Sequence, residues 1–222
     1  MSYILNIETA TKNCSVSLAQ HGETLICKEI SEQGYSHAEK LHVFIDEIMK
    51  ESGLAMTDLQ AIAVSQGPGS YTGLRIGVSA AKGLCYALSI PLIAIDTLTT
   101  LASQVQKTDG LIVPMIDARR MEVYSAVFHS NKEMIREVQA EILTEDSFLE
   151  QSGSIYFVGD SNEKAKSVLT KSNFIFLDTI VFPSANEMSA MSYNKFLKED
   201  FVDVAYFEPY YLKDFMIVKK EM

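Results

Sequence analysis

With 222 residues, 47% of them hydrophobic, and a formal net charge of −10 at pH 7, the chain can form one large domain or two small lobes around a sizeable core. That charge excludes a self-sufficient nucleic-acid binder, which needs a basic stripe to neutralise phosphates; dense positive charge is confined to Arg119-Arg120 and Lys219-Lys220. No window supplies the roughly 18 to 20 apolar residues of a membrane span, the N-terminus MSYILNIET has no basic leader region, and three scattered cysteines (Cys14, Cys27, Cys85) make no disulfide framework, so a reducing cytoplasm is expected.

The first half reads as β-β-β-α-β-α-β-α. Tyr3 to Ile7 and Ser15 to Ala19 alternate as strands around a polar turn, Glu8 to Asn13, and Thr24 to Ile30 completes a meander. Tyr35 to Lys50 has Leu41, Phe44, Ile45 and Ile48 at helical spacing. A buried strand, Ala61 to Ser65, then runs into a glycine-rich turn and a helix ending near Leu88. Pro91 stops that segment, Leu92 to Ile95 is a strand, and Asp96 caps a helix to about Gln104. The second half starts again after Thr108-Asp109-Gly110, giving expected lobes of 1–108 and 109–222. Leu111 to Phe128 repeats the strand, acidic turn and strand pattern, with Asp117 in the place of Glu8. A strand from Met134 to Glu141, a helix from Glu145 to Gln151, a strand from Ile155 to Val158 and a helix from Gly159-Asp160 to Leu169 follow. Phe174 to Leu177 is a short strand, Ser184 to Lys198 a Met-rich helix, and the tail from Val202 an extended, aromatic segment.

The chain is organised around Ala61 to Leu88. Gly69, Gly73, Gly77 and Ala81 recur every four residues and share one helix face. Each interior helical glycine costs roughly 1 kcal/mol, so the bare face serves a close approach, either to the protein's own sheet or to a partner helix. The spacing Gly67-x-Gly69-x-x-x-Gly73 fits neither the dinucleotide fingerprint nor a P-loop.

Ile7-Glu8-Thr9-Ala10, Val64 to Gly77 (VSQGPGSYTGLRIG) and Ala81-Lys82-Gly83-Leu84 together resemble the TsaB family, also called YeaZ. Ile116-Asp117-Ala118-Arg119-Arg120-x-Glu122-Val123-Tyr124 and Pro209-x-Tyr211-Leu212-Lys213-Asp214-Phe215 are similar to it as well. The resemblance runs from Tyr3 to about Phe215. It implies an α/β fold of duplicated actin-like, ribonuclease H-like lobes with the second lobe reduced. It also implies a non-catalytic subunit that binds the TsaD enzyme of tRNA threonylcarbamoyladenosine synthesis. A TsaE-type ATPase is a further implied partner, a homodimer is implied for the isolated chain, and tRNA contact is indirect. The implied interface comprises His37, Leu41, Phe44, Gly69, Tyr71, Gly73, Leu74, Arg75, Ile76, Gly77, Val78 and Ala81.

In that superfamily the acidic hairpin turn faces a phosphate, which makes Glu8, Thr9 and Asp117 the candidates; otherwise they are solvated turn residues. No cofactor and no catalytic residue are expected. The catalytic relative carries an Asn-His-x-x-x-His metal element where this chain has Asp96-Thr97-Leu98-Thr99-Thr100-Leu101, and His37 and His42 stand five apart. No metal is expected. Two alternatives remain: an actin-like small-molecule kinase or phosphotransferase, and a peptidase-like hydrolase using Ser70, for which no base is evident.

Overall fold

The computed structural model describes residues 2–31, 37–150 and 152–212 and contains two five-stranded mixed sheets. In the first half lie β1 (Tyr3–Glu8), β2 (Cys14–Gln20), β3 (Glu23–Ile30), α1 (His37–Ser52), β4 (Leu59–Gly67), α2 (Tyr71–Leu88), β5 (Leu92–Asp96) and α3 (Thr97–Ser103). The second half holds β6 (Leu111–Asp117), β7 (Glu122–His129), β8 (Met134–Ile142), β9 (Ile155–Val158), α4 (Asn162–Lys166), β10 (Phe174–Phe176) and α5 (Ala185–Leu197). The sheets are ordered β3-β2-β1-β4-β5 and β10-β9-β6-β7-β8. Setting β6–β10 against β1–β5 gives the same order twice, an antiparallel meander extended by two parallel strands. This is the duplicated actin-like architecture that the resemblance implies.

Strand β1 sits mid-sheet and is covered on both faces, so its residues are almost continuously buried. Leu5 and Ile7 point into the core beneath α1 and α2, while Ile4 points to the opposite face. Helix α2 buries Leu74, Val78, Ala81 and Cys85 with Gly73 and Gly77. Ser70 caps it, its hydroxyl accepting the Gly73 N–H at 3.3 Å.

Among the described residues the second lobe has no counterpart of α1. The helix predicted over Glu145 to Gln151 is absent: residues 145–150 are turns, and Gln151 lies outside the described residues. Ser147 Oγ accepts the Thr144 N–H at 3.0 Å, a local bond that competes with helix. Phe148 has φ +62°, outside the helical region, and lays its ring edge-on against Phe157 with centroids 5.4 Å apart. The helix predicted to reach Leu169 ends at Lys166. The helix start at Tyr35 and the tail motif Lys213-Asp214-Phe215 fall outside the described residues.

Each lobe lends its last helix to the other. Ala185 and Met188 of α5 pack with Ile4, Ala61, Ala63, Ile93 and Ile95 of the first sheet. Leu98, Leu101 and Ala102 of α3 pack with Ile112, Ile116, Ala126 and Phe128 of the second. Ser15 Oγ accepts the Ala185 N–H at 2.8 Å and Ser17 Oγ donates to Ala185 O at 2.7 Å, pinning α5 in place. A boundary at 108/109 therefore separates the sheets, while the two core clusters around α3 and α5 cross it. The tail crosses the first lobe: Val202 bridges Leu92, Lys82 Nζ donates to Phe207 O at 2.9 Å, and the Tyr210 N–H donates to Gln66 O at 2.7 Å.

Candidate functional site

The glycine-rich loop after β4 lies over the β1–β2 hairpin and is bonded to it. The Ser70 N–H donates to Ala10 O at 2.6 Å, and Thr9 Oγ1 donates to Gly73 O at 2.8 Å. A Cβ at Gly69 would lie 2.3 Å from Ala10 O, one at Gly73 2.1 Å from Thr9 O, and one at Gly77 2.2 Å from Thr9 Oγ1. The bare face is therefore occupied by the chain's own hairpin. Gly69, Gly73 and Gly77 are not available to a partner helix, and the expectation that they form a docking face is corrected. Leu41, Val78 and Ala81 are also core residues, packed in one cluster with Leu5 and Ile7, and Leu74 is buried as well.

The hairpin is closed against solvent by the same packing. Glu8 and Thr9 are fully buried, so they are neither solvated turn residues nor an open phosphate cradle. Glu8 Oε1 accepts the Ala10 N–H at 2.6 Å, while Oε2 meets no hydrogen-bonding group. Burial pushes the Glu8 carboxyl up to about 7, partly opposed by the Ala10 amide and the Ser65 hydroxyl and reinforced by the Asp96 charge. Asp117, the counterpart in the second lobe, is exposed but organises its own turn: Oδ1 accepts the Arg119 N–H at 3.0 Å and pairs with Lys164.

Asp96 lines a groove of about 570 Å³ with Gln66, Glu208, Pro209, Tyr210 and Tyr211. Its Oδ1 accepts the Thr99 N–H at 2.7 Å and the Thr99 hydroxyl at 2.9 Å, and burial raises its pKa. Thr97, Leu98, Thr100 and Leu101 turn into the lobe junction, where a metal-binding helix would need imidazoles on an open face. Among the described residues no three His, Cys, Asp or Glu gather as a ligand set. His37 Nε2 lies 2.7 Å from Thr11 O, and His42 is exposed.

What remains open is the other side of α2. Of the expected interface residues, His37, Phe44, Tyr71, Arg75 and Ile76 reach the surface. Tyr71 lies under the Arg75 guanidinium at 4.6 Å and against the Tyr211 ring at 4.9 Å. Ile76, Ala80, Gly83 and Ala87 follow one another at intervals of three or four along a stripe distinct from the buried glycine face, with Tyr86 three residues after Gly83. Phe44 of α1 packs against the same core cluster as Ile76, Ala80 and Leu84. Tyr86 is 84% exposed. A Cβ at Gly83 would meet nothing within 4 Å. Gly83→Ala is therefore expected to raise the stability of the isolated chain by about 0.5 to 1 kcal/mol, read from its urea midpoint. Sequence reasoning passed over Gly83, Ala80 and Tyr86; the available signal was one glycine out of phase with the series Gly69, Gly73, Gly77.

The family model described as TsaD: tRNA N6-adenosine threonylcarbamoyltransferase matches residues 29–216. The chain is 30% identical over 226 residues to the tRNA threonylcarbamoyladenosine biosynthesis protein TsaB of Escherichia coli (strain K12), covering 98% of this chain and 97% of that protein. The chain belongs to the TsaB family. A solved TsaB-family structure, YeaZ from Pseudomonas aeruginosa, has the same fold, with a TM-score of 0.80 at 24% identity over 96% of this chain and 100% of that one. Likeness to a tRNA N6-adenosine threonylcarbamoyltransferase, from Jannaschia sp. (strain CCS1), is 43% over 81 residues, 36% of this chain and 23% of that enzyme. The TsaB relative is thus matched end to end, and the transferase only in a segment.

Proposed function

We propose that this chain is the non-catalytic subunit of a cytoplasmic machinery that makes threonylcarbamoyladenosine in tRNA, and that it binds and stabilises a TsaD-type catalytic subunit. The TsaB names of its full-length relatives support the pathway. The observation that carries the binding role is the outer stripe of α2, where a helical glycine is kept in open space among Ile76, Ala80, Leu84 and Tyr86. A glycine that weakens its own helix while touching nothing in the monomer gains its use when another helix approaches closely. An exposed tyrosine beside it is the residue type enriched at interface centres. In the isolated chain the same stripe closes an isologous homodimer, and a TsaE-type ATPase joins the assembled pair. The phosphotransferase alternative lacks a cradle in the first lobe, because Glu8 and Thr9 are enclosed by the glycine loop.

Light scattering after gel filtration tests the proposal, using the chain mixed with its cognate TsaD-type partner. Wild type is expected to run as a heterodimer. Gly83→Arg, whose side chain enters open space in the monomer, is expected to keep the fold and lose the complex. A Gly83→Arg chain that still forms the heterodimer at wild-type affinity removes this face from the interface.

A further inference from the structure

The β6–β7 hairpin carries a feature that the docking face does not use. Arg119 and Arg120 follow one another with φ +73° and +53°, both in the left-handed region that non-glycine residues avoid. Each such residue costs on the order of 1 kcal/mol and persists only where its surroundings hold it. The surroundings here are a built clamp. Asp117 Oδ1 accepts the Arg119 N–H at 3.0 Å, and Asp160 Oδ1 accepts the Asp117 N–H at 2.8 Å. Lys164 Nζ pairs with Asp117 and donates to Arg120 O at 2.9 Å and Glu122 O at 2.6 Å. The clamp uses the backbone of the two arginines and leaves their side chains free.

Those side chains are exposed, and among the described residues neither guanidinium has a hydrogen bond or ion pair. The chain has four arginines in all. The other two are engaged, Arg75 over the Tyr71 ring and Arg136 with Glu141. Two uncommitted guanidiniums are therefore presented side by side at one hairpin turn, on a chain of net charge −10.

We infer that the Arg119-Arg120 turn contacts adjacent phosphates of the tRNA backbone when this chain is assembled with its catalytic partner. The inference rests on the scaffold reading. Two adjacent guanidiniums exceed what one partner carboxylate requires, while a row of phosphates presents repeated anions. The arginines line neither the groove at Gln66 and Asp96 nor the one at Glu29 and Glu187, so they meet a large ligand rather than enclose a small one. The acidity of the rest of the chain keeps RNA off the isolated subunit, and the contact operates only where the partner holds the nucleic acid.

The test measures binding of an unmodified tRNA transcript to the heterodimer as a function of salt. Asn is the non-glycine residue best suited to left-handed backbone, so Arg119→Asn with Arg120→Asn removes charge and keeps the turn; Arg119→Lys with Arg120→Lys keeps charge. The Asn pair is expected to weaken tRNA binding on the order of tenfold at 0.1 M salt. It should also reduce the slope of log affinity against log salt by about 1.4 to 1.8, the value for two phosphate contacts. The Lys pair should restore most of both, with the heterodimer mass unchanged throughout. Unchanged tRNA affinity and slope in an intact heterodimer overturn the contact and leave the scaffold reading standing. Loss of the heterodimer with the Asn pair overturns it in favour of a carboxylate on the partner protein. Failure of the wild-type chain to pair removes the scaffold reading and this contact with it.

Discussion

Replacing Gly73 with alanine is expected to destabilise the chain by about 3 kcal/mol or more, although the same substitution in an open helix would stabilise it by about 1 kcal/mol. The sign follows from the 2.1 Å that would separate the new Cβ from the Thr9 carbonyl oxygen. That carbonyl belongs to backbone fixed in the β1–β2 hairpin, and Thr9 Oγ1 is itself committed to Gly73 O at 2.8 Å. Neither partner can give way without breaking the bond that joins hairpin to helix. Urea unfolding of Gly73→Ala beside Gly83→Ala separates the two glycines: the first is expected to lose stability and the second to gain it. A Gly73→Ala chain within 1 kcal/mol of wild type would mean that the hairpin does not lie on the helix as described. Gly77 belongs with Gly73, because its missing side chain is replaced by Thr9 Oγ1.

The second large effect concerns Glu8 and pH. Its folded pKa of about 7 lies above the ordinary value of 4.5 because the carboxylate is enclosed. The folded state therefore holds a proton that the unfolded chain releases. The stability this contributes is complete below about 4.5 and is lost as pH rises through 7. Glu8→Gln keeps a carbonyl for the Ala10 N–H and cannot ionise. Its stability relative to wild type is expected to rise by about 2.5 kcal/mol between pH 5 and pH 9, the part of the linked change at about 1.4 kcal/mol per pH unit that falls above pH 5. Parallel urea titrations at the two pH values provide the comparison. A constant difference between the two proteins would show that Glu8 is ionised throughout and reaches solvent.

Both effects arise at one place, and they mark what periodicity can and cannot convey. The elements of the first lobe were readable because alternation and helical spacing are local properties. The interval of four in Gly69, Gly73 and Gly77 identified a common face correctly, but spacing alone does not say what lies against that face. Only the fold brings Thr9 and Ala10, some sixty positions earlier, onto it. The burial of Glu8 was hidden for the same reason, since a glutamate ending a strand reads as solvated until another loop covers it. Over residues 145–150 the reading failed locally: Ser147 bonds to the nearby backbone and Phe148 adopts left-handed geometry to seat its ring on Phe157. The exchange of α3 and α5 between lobes left no local signal, because the residues involved carry the same apolar pattern whichever sheet they cover. Gly83 could have been singled out, as it falls outside the phase of the packed glycines. Arg119-Arg120 was visible as a charge cluster, while the left-handed turn that presents it was not.

Helix α2 faces two ways: Gly73 and Gly77 lie against the protein's own hairpin, and Gly83 lies on the open face proposed to meet a partner. Hydroxyl-radical footprinting of the chain with and without its TsaD-type subunit tests this most directly. Tyr86, 84% exposed on the outer stripe, is expected to be strongly protected in the complex, while Ile142, 67% exposed on β8, keeps its reactivity. A heterodimer in which Tyr86 reacts as freely as in the isolated chain would contradict the assignment of the outer α2 face as the docking surface.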